Sequence, residues 1–193
     1  MTQDETGVRV VARAAQRRVR WKNGLGWTTE LAVWPEGAEF DWRVSVAEVE
    51  VDCEFSRFPG IDRSILVIEG AGFDLRVDGE PVAQLRAGGP AHAFSGDRAA
   101  RCVAHGPSRD FNVMTRRGRS SHRLIRASAA AAPTLVGAAG VGWVVYVVRG
   151  EATVGGARVE AGECAVIEPV LADRPAVALA GTAELVIAQL RIG

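Results

Sequence analysis

Apolar residues fall in short runs, rich in Val, Ile and Leu, that Gly, Pro and Asp break at close intervals. Where polar residues interrupt a run they tend to do so at every second position, as in WRVSVAEV at 42–49. A period of two is the signature of a strand with unlike faces, whereas a helix would repeat its apolar positions every three to four residues. The pattern predicts strands at 31–34, 42–49, 64–69, 72–77, 82–85, 99–103, 111–115, 142–148, 151–154, 164–167 and 184–190. Two tight hairpins are predicted, at Val77-Asp78-Gly79-Glu80 and Val154-Gly155-Gly156-Ala157, because Asp-Gly and Gly-Gly accept the backbone twist of a two-residue turn. Many short strands with close turns imply an all-β sandwich or barrel.

The pattern also repeats. LVIEGAGFDLRVDGEPVAQLRAGGPAHAF at 66–94 and YVVRGEATVGGARVEAGECAVIEP at 146–169 align when Gly70 is set on Gly150. In each copy an apolar strand ends in a charged residue and Gly, then come a hairpin, a Gly-containing turn and another strand. Each copy has an uncovered apolar face, and two copies can cover each other. The chain therefore reads as two halves, 1–123 and 124–193, with strand exchange between them left open. The low-complexity stretch ASAAAAPTLVGAAG at 127–140 joins them as a loop or loose strand. A helix over 127–132 would end at Pro133.

Composition narrows the function classes. A chain of 193 residues buries roughly 70% of its unfolded surface and needs no staple to fold. Lys and Arg number 23, as do Asp and Glu, and a zero balance argues against a nucleic-acid partner. The run Arg116-Arg117-Gly118-Arg119 reads as a solvated loop. Cys53, Cys102 and Cys164 form no Cys-x-x-Cys pair and read as reduced, buried thiols. The N-terminal residues lack the apolar core of a signal peptide, and no segment approaches the roughly 20 apolar residues that span a bilayer. The expectation is a cytoplasmic protein with no membrane partner.

Several blocks resemble a known family. The repeat is similar to the cupin superfamily. WKNGLGWTTELAVWPEG at 21–37 resembles the opening motif of the HutD/Ves family, and FDWRVSVAEVEVDCEFSRFPGIDRSILVIEGAGFDL at 40–75 its central block. FSGD at 94–97 and DFNVMTRRG at 110–118 resemble its later motifs. From about residue 124 the match is only to a degenerate cupin repeat. The resemblance implies a bicupin fold, two cupin-like β-barrel or jelly-roll halves in one chain. It also implies a bacterial protein that limits or senses the flux of histidine utilisation, with no established catalytic activity. A second branch of the family is associated with environmental stress.

Metal-binding cupins use paired His, a Glu and a third His. Here His92, His105 and His122 are unpaired, Ile61, Asp62 and Arg63 precede the apolar strand, and 143–169 has no His. No metal and no other cofactor is therefore expected. Nor is there a nucleophile elbow, P-loop or dinucleotide fingerprint.

What remains is a concave barrel mouth with polar residues at inward positions. Alternation puts Thr28 with Glu30, Arg43 with Ser45 and Ala47, and Asn112 with Met114. An Arg pointing into an apolar barrel must be paired, either with an internal carboxylate such as Glu30 or with a ligand. Its fork suits both oxygens of a carboxylate. Arg63 stands just before an apolar strand, where metal cupins carry their ligands. Lys22-Asn23-Gly24-Leu25-Gly26 is a turn that brings Asn23 and backbone N–H groups near a small anion. Trp21, Trp27, Trp34, Trp42 and Trp143 are read as core. The candidate site is thus Lys22, Asn23, Thr28, Glu30, Arg43, Ser45, Arg63, Asn112 and Met114, with no catalytic residue assigned. The reading is a non-catalytic protein that binds a small anionic metabolite, such as N-formyl-L-glutamate. An enzyme acting on a small carboxylate or carbohydrate, and a protein-interaction scaffold, are the alternatives. A homodimer stays open.

Overall fold

The computed structural model describes residues 7–21, 24–37 and 39–193. Its strands are β1 (Val8–Val11), β2 (Arg17–Arg20), β3 (Gly26–Trp34), β4 (Trp42–Val49), β5 (Cys53–Phe55), β6 (Ile61–Gly70) and β7 (Phe73–Val77). Next come β8 (Glu80–Leu85), β9 (His92–Ser95), β10 (Ala100–Ala104), β11 (Ser108–Arg116), β12 (Ser120–Ser128) and β13 (Thr134–Leu135). The last are β14 (Val141–Arg149), β15 (Glu151–Val154), β16 (Ala157–Glu160), β17 (Cys164–Ile167), β18 (Val177–Gly181) and β19 (Glu184–Ile192). Single 3-10 turns at Arg13–Ala15 and Ala129–Ala131 are the helical elements among the described residues. No helix there is long and apolar enough to cross a membrane.

The chain divides into two compact units. One is residues 17–119; the other is 120–193 with the segment that ends at Gln16. In the first, a six-stranded sheet (β2-β3-β4-β11-β6-β9) accompanies a four-stranded one (β5-β10-β7-β8). In the second, a five-stranded sheet (β1-β17-β14-β19-β12) accompanies another of four (β13-β18-β15-β16). This is the all-β, two-half jelly-roll arrangement that the resemblance implies. The division falls between Arg119 and Ser120. β1, in Arg-rich sequence that gave no alternation signal, pairs with β17 from Val8↔Ile167 to Val11↔Cys164, covering an edge that would otherwise expose unpaired backbone groups.

Both predicted hairpins form. Asp78 and Gly79 have φ of 51° and 87°, and Gly155 and Gly156 have 57° and 86°, so both central residues of each turn are left-handed as a twist-matched hairpin requires. The glycine on which the repeat aligns has its own reason. Gly70 has φ of 95°, and a Cβ there would lie 2.1 Å from Pro107 O. Each unit has its own core. Ile65, Val67, Phe73, Leu75 and Cys102 pack together in the first, and Val145, Val147, Leu179, Leu185 and Ile187 in the second. All three cysteines are free and buried.

Of the tryptophans, Trp42 is core and Trp21 and Trp143 pack against the two cores, while Trp27 and Trp34 depart from expectation. Trp42 is buried, but Trp21, Trp27 and Trp143 are half-buried and Trp34 is 52% exposed. Arg18 and Arg20 lie over the Trp27 ring, at 4.1 and 5.5 Å from guanidinium carbon to ring centroid, so its face meets cations and not the core. The stretch at 127–140 holds the end of β12, one 3-10 turn and the short β13.

Candidate ligand-binding site

The site is built on three neighbouring strands of the six-stranded sheet. β11 pairs with β4 on one side and β6 on the other, so Met114 faces both Arg43 and Arg63 across the ladder. One step along the same face Asn112 lies between Ser45 and Ile65, and one step further Asp110 lies between Ala47 and Val67. On β3, Thr28 pairs with Ala47 and Glu30 with Ser45. Because side chains alternate, these positions share one face of the sheet.

Several of them line a cavity of about 500 Å³. Thr28, Arg43, Ser45, Arg63, Asn112 and Met114 line it together with Trp21, Phe55, Ser56 and Phe58. Glu30 acts one step away: its Oε2 accepts from Arg43 Nε at 3.0 Å. Lys22 and Asn23 lie outside the described residues. The expected pairing of a barrel Arg with Glu30 therefore falls to Arg43. Arg63 is not just before the strand but inside β6, which starts at Ile61.

Arg63 is 4% exposed and has no carboxylate within ion-pair distance among the described residues. Its Nη1 donates to Ser56 O at 3.3 Å and its Nη2 to Asn112 Oδ1 at 3.4 Å; Nε is buried and has no partner. Three rings surround the guanidinium, with Phe94, Phe58 and Phe55 centroids at 4.8, 5.5 and 5.6 Å. Aromatic faces attract a cation but leave its N–H edge unsatisfied. Desolvation, the largest cause, draws its pKa down to about 10, with Asp110 opposing and Arg43 assisting. It stays a cation at neutral pH.

Behind Asn112 lies Asp110, fully buried. Asn112 Nδ2 donates to Asp110 Oδ1 in a short contact, while Asp110 Oδ2 is buried without a partner. Desolvation pushes this carboxyl up to about 7, against the lowering effects of Asn112 and Arg63. On β3, Thr28 Oγ1 accepts from Trp21 Nε1 at 2.7 Å.

Sequence reasoning missed Asp110 and the phenylalanine cage. Asp110 precedes Phe111 on an alternating strand, and its parity with Asn112 and Met114 was the available signal. Phe55 ends a three-residue strand too short to show alternation, and Ser56 and Phe58 follow it. A larger cavity, about 840 Å³, is lined by Arg57, Arg76 and Arg101 in the same unit. These side chains are exposed; Arg76 donates to Gly79 O and Arg101 pairs with Asp52. Among the described residues no polar group there is buried and unpartnered, so the smaller cavity is the better candidate.

The donor set does not fit a bound metal. Arg43 and Arg63 offer no lone pair to a cation and repel it. His105 Nε2 lies 3.2 Å from Asp74 Oδ2, and no cluster of three or more His, Cys, Asp or Glu that could hold a metal occurs among the described residues.

Comparison with known proteins adds a family. A family model described as HutD matches residues 13–187. A 21.2 kDa protein in the hutC 3′ region of Pseudomonas putida is 42% identical over 100 residues, 50% of this chain and 52% of that protein. Protein Ves of Escherichia fergusonii is 35% identical over 99 residues, 50% of this chain and 51% of that protein. The chain thus spans about half the length of the curated relatives it matches. The solved structure of HutD from Pseudomonas fluorescens SBW25 in a formate condition superposes with a TM-score of 0.85 at 29% identity, covering 96% of this chain and 99% of that one. A cupin 2 conserved barrel protein from Leptotrichia buccalis, 13% identical with a TM-score of 0.56, covers 86% of this chain and 88% of its own, and shares the fold alone.

Proposed function

The chain belongs to the HutD family, and from that premise we propose that it binds a small carboxylate at Arg63 without catalysis and so senses or limits histidine utilisation. One observation carries this reading. A buried guanidinium, with no carboxylate partner among the described residues and with an unsatisfied Nε, faces a cavity of about 500 Å³. A buried charge is costly unless paired and hydrogen-bonded, and an arriving carboxylate supplies both. Small-molecule sites are typically concave, mostly apolar and fitted with a few converging polar groups, a description that suits this cavity.

N-formyl-L-glutamate, an intermediate of histidine breakdown, is the proposed ligand. One carboxylate would dock on Arg63. Asn112 Oδ1 beside it accepts hydrogen bonds, which suits the ligand's formamide N–H. The second carboxylate would lie toward Arg43, on the other side of Met114 in the same row. Thermal unfolding with and without N-formyl-L-glutamate tests this. The melting temperature should rise in the wild type and not in Arg63→Ala. If no histidine-pathway intermediate moves the wild type, the ligand class is wrong. If wild type and Arg63→Ala move equally, the site is wrong.

A further inference from the structure

We infer that Asp110 is a positioning residue of this pocket, and that a carboxylate docking on Arg63 is captured together with one proton, taken from solvent onto Asp110. The inference rests on the reading of the pocket above and adds how binding there is regulated.

Two buried groups of opposite charge stand on either side of Asn112. Arg63 Nη2 donates to the amide oxygen, and the amide nitrogen donates to Asp110 Oδ1. Asn112 is thereby fixed with its oxygen toward Arg63. The two charged groups make no direct ion pair, yet each feels the other's field. Each also keeps one buried atom without a partner, Arg63 Nε and Asp110 Oδ2. Arg63 lines the cavity that a ligand's carboxylate would enter, and Asp110 Oδ2 can carry a proton without breaking a hydrogen bond.

The groups facing Asp110 come from several strands. Its register neighbours Ala47 on β4 and Val67 on β6 are apolar. Arg63 on β6 is the cation that acts on it, with Arg43 on β4 acting on Arg63 in turn. The thiols of Cys53 on β5 and Cys102 on β10 complete the surroundings, and the charge of Asp110 opposes ionisation of either. Asp110 is thus a buried carboxylate whose ionised form is favoured first by the bond from Asn112 and then by the field of Arg63. A ligand carboxylate on Arg63 cancels that field and adds a like charge nearby. Both effects favour the neutral acid. The balance is simple: the ligand enters as an anion, Arg63 stays protonated, and one proton moves from buffer to Asp110.

Isothermal titration of wild type and Asp110→Asn with N-formyl-L-glutamate, at pH 8 in phosphate and in Tris, tests the coupling. The two buffers have different ionisation enthalpies, so proton uptake appears as a difference in observed heat. At pH 8 the ligand's carboxylates are ionised and Arg63, whose pKa lies near 10, is held almost wholly protonated. Wild type should take up a fraction of one proton per ligand, and its affinity should fall with rising pH, by about tenfold per unit at most. Asp110→Asn, uncharged and able to accept the Asn112 bond, should bind with no uptake and a flat pH profile. A residue that merely supports the fold would change the affinity without changing that slope. Binding without proton uptake overturns the coupling and leaves the pocket reading standing. Uptake that persists in Asp110→Asn also overturns it. No binding at any pH overturns both. If Asp110→Asn does not fold, infrared spectra of the wild type at pH 8 decide: a carbonyl band of a buried protonated carboxyl grows on ligand addition, or its absence refutes the inference.

Discussion

Glu30 Oε2 accepts a hydrogen bond from Arg43 Nε at 3.0 Å, while Arg63, on the other side of Met114 in the same row, has no carboxylate partner among the described residues. Of these two arginines, one is satisfied from within the protein and the other is not. That asymmetry separates the roles of the two arginines and yields tests for each.

Replacing Arg63 with Met should separate stability from binding. An apolar side chain of similar length removes a buried charge that has no ion-pair partner, so the ligand-free variant should be as stable as the wild type or more so. Its response to ligand should vanish. At 100 times its dissociation constant, a ligand that binds only the folded state adds about 2.7 kcal/mol. For a chain of this size that is a rise of roughly 5–11 °C in the wild type. A variant with lower stability and a preserved ligand shift would show that Arg63 is structural.

Glu30→Gln should free Arg43. The pair is partly exposed, at 22% and 23%, so the stability lost should be small, about 1 kcal/mol or less. Affinity for N-formyl-L-glutamate should rise severalfold, while affinity for N-formylglycine, with one carboxylate, should change little. Equal changes for the two compounds would place the second carboxylate away from Arg43.

Asp110 also predicts how stability depends on pH. Its folded pKa, raised by burial to about 7, exceeds the unfolded value of about 3.9. Between those values the folded protein holds a proton that the unfolded chain releases. The contribution is full below the unfolded value and is lost as pH rises through the folded one. Asp110→Asn should remove this slope. In urea unfolding, its stability relative to wild type should climb from pH 4 to about 7 and then level.

Asp97 has the opposite sign. Its carboxylate accepts from Gly60 N at 2.7 Å, from Arg117 Nη2 and from Ser95 Oγ at 2.8 Å, and these bonds hold its pKa down to about 2, with the Gly60 bond the largest cause. Its contribution is present above the unfolded value and is lost as pH falls through the folded one. Asp97→Asn should melt lower than wild type at pH 7, and the gap should close between pH 4 and 2. A gap independent of pH would mean that the carboxylate's charge is not what holds this turn.

The sequence by itself determined what is local. Asp78-Gly79 and Gly155-Gly156 specified two hairpins because few residues tolerate two successive left-handed conformations. Strict alternation put Arg43 with Ser45 and Ala47, and Asn112 with Met114, because the pleat gives a strand only two faces. The pairing register was not local. Arg43 and Arg63 share a row because β11, which follows both in sequence, inserts between β4 and β6. That arrangement depends on packing across the whole sheet. Tertiary structure also decided which charge goes unpaired. Glu30 reached Arg43, Phe55, Phe58 and Phe94 closed around Arg63, and Asp110 was carried into an apolar interior. The ionisation of a carboxyl depends on the solvent and charges around it, and in sequence Asp110 is simply the acid before a phenylalanine.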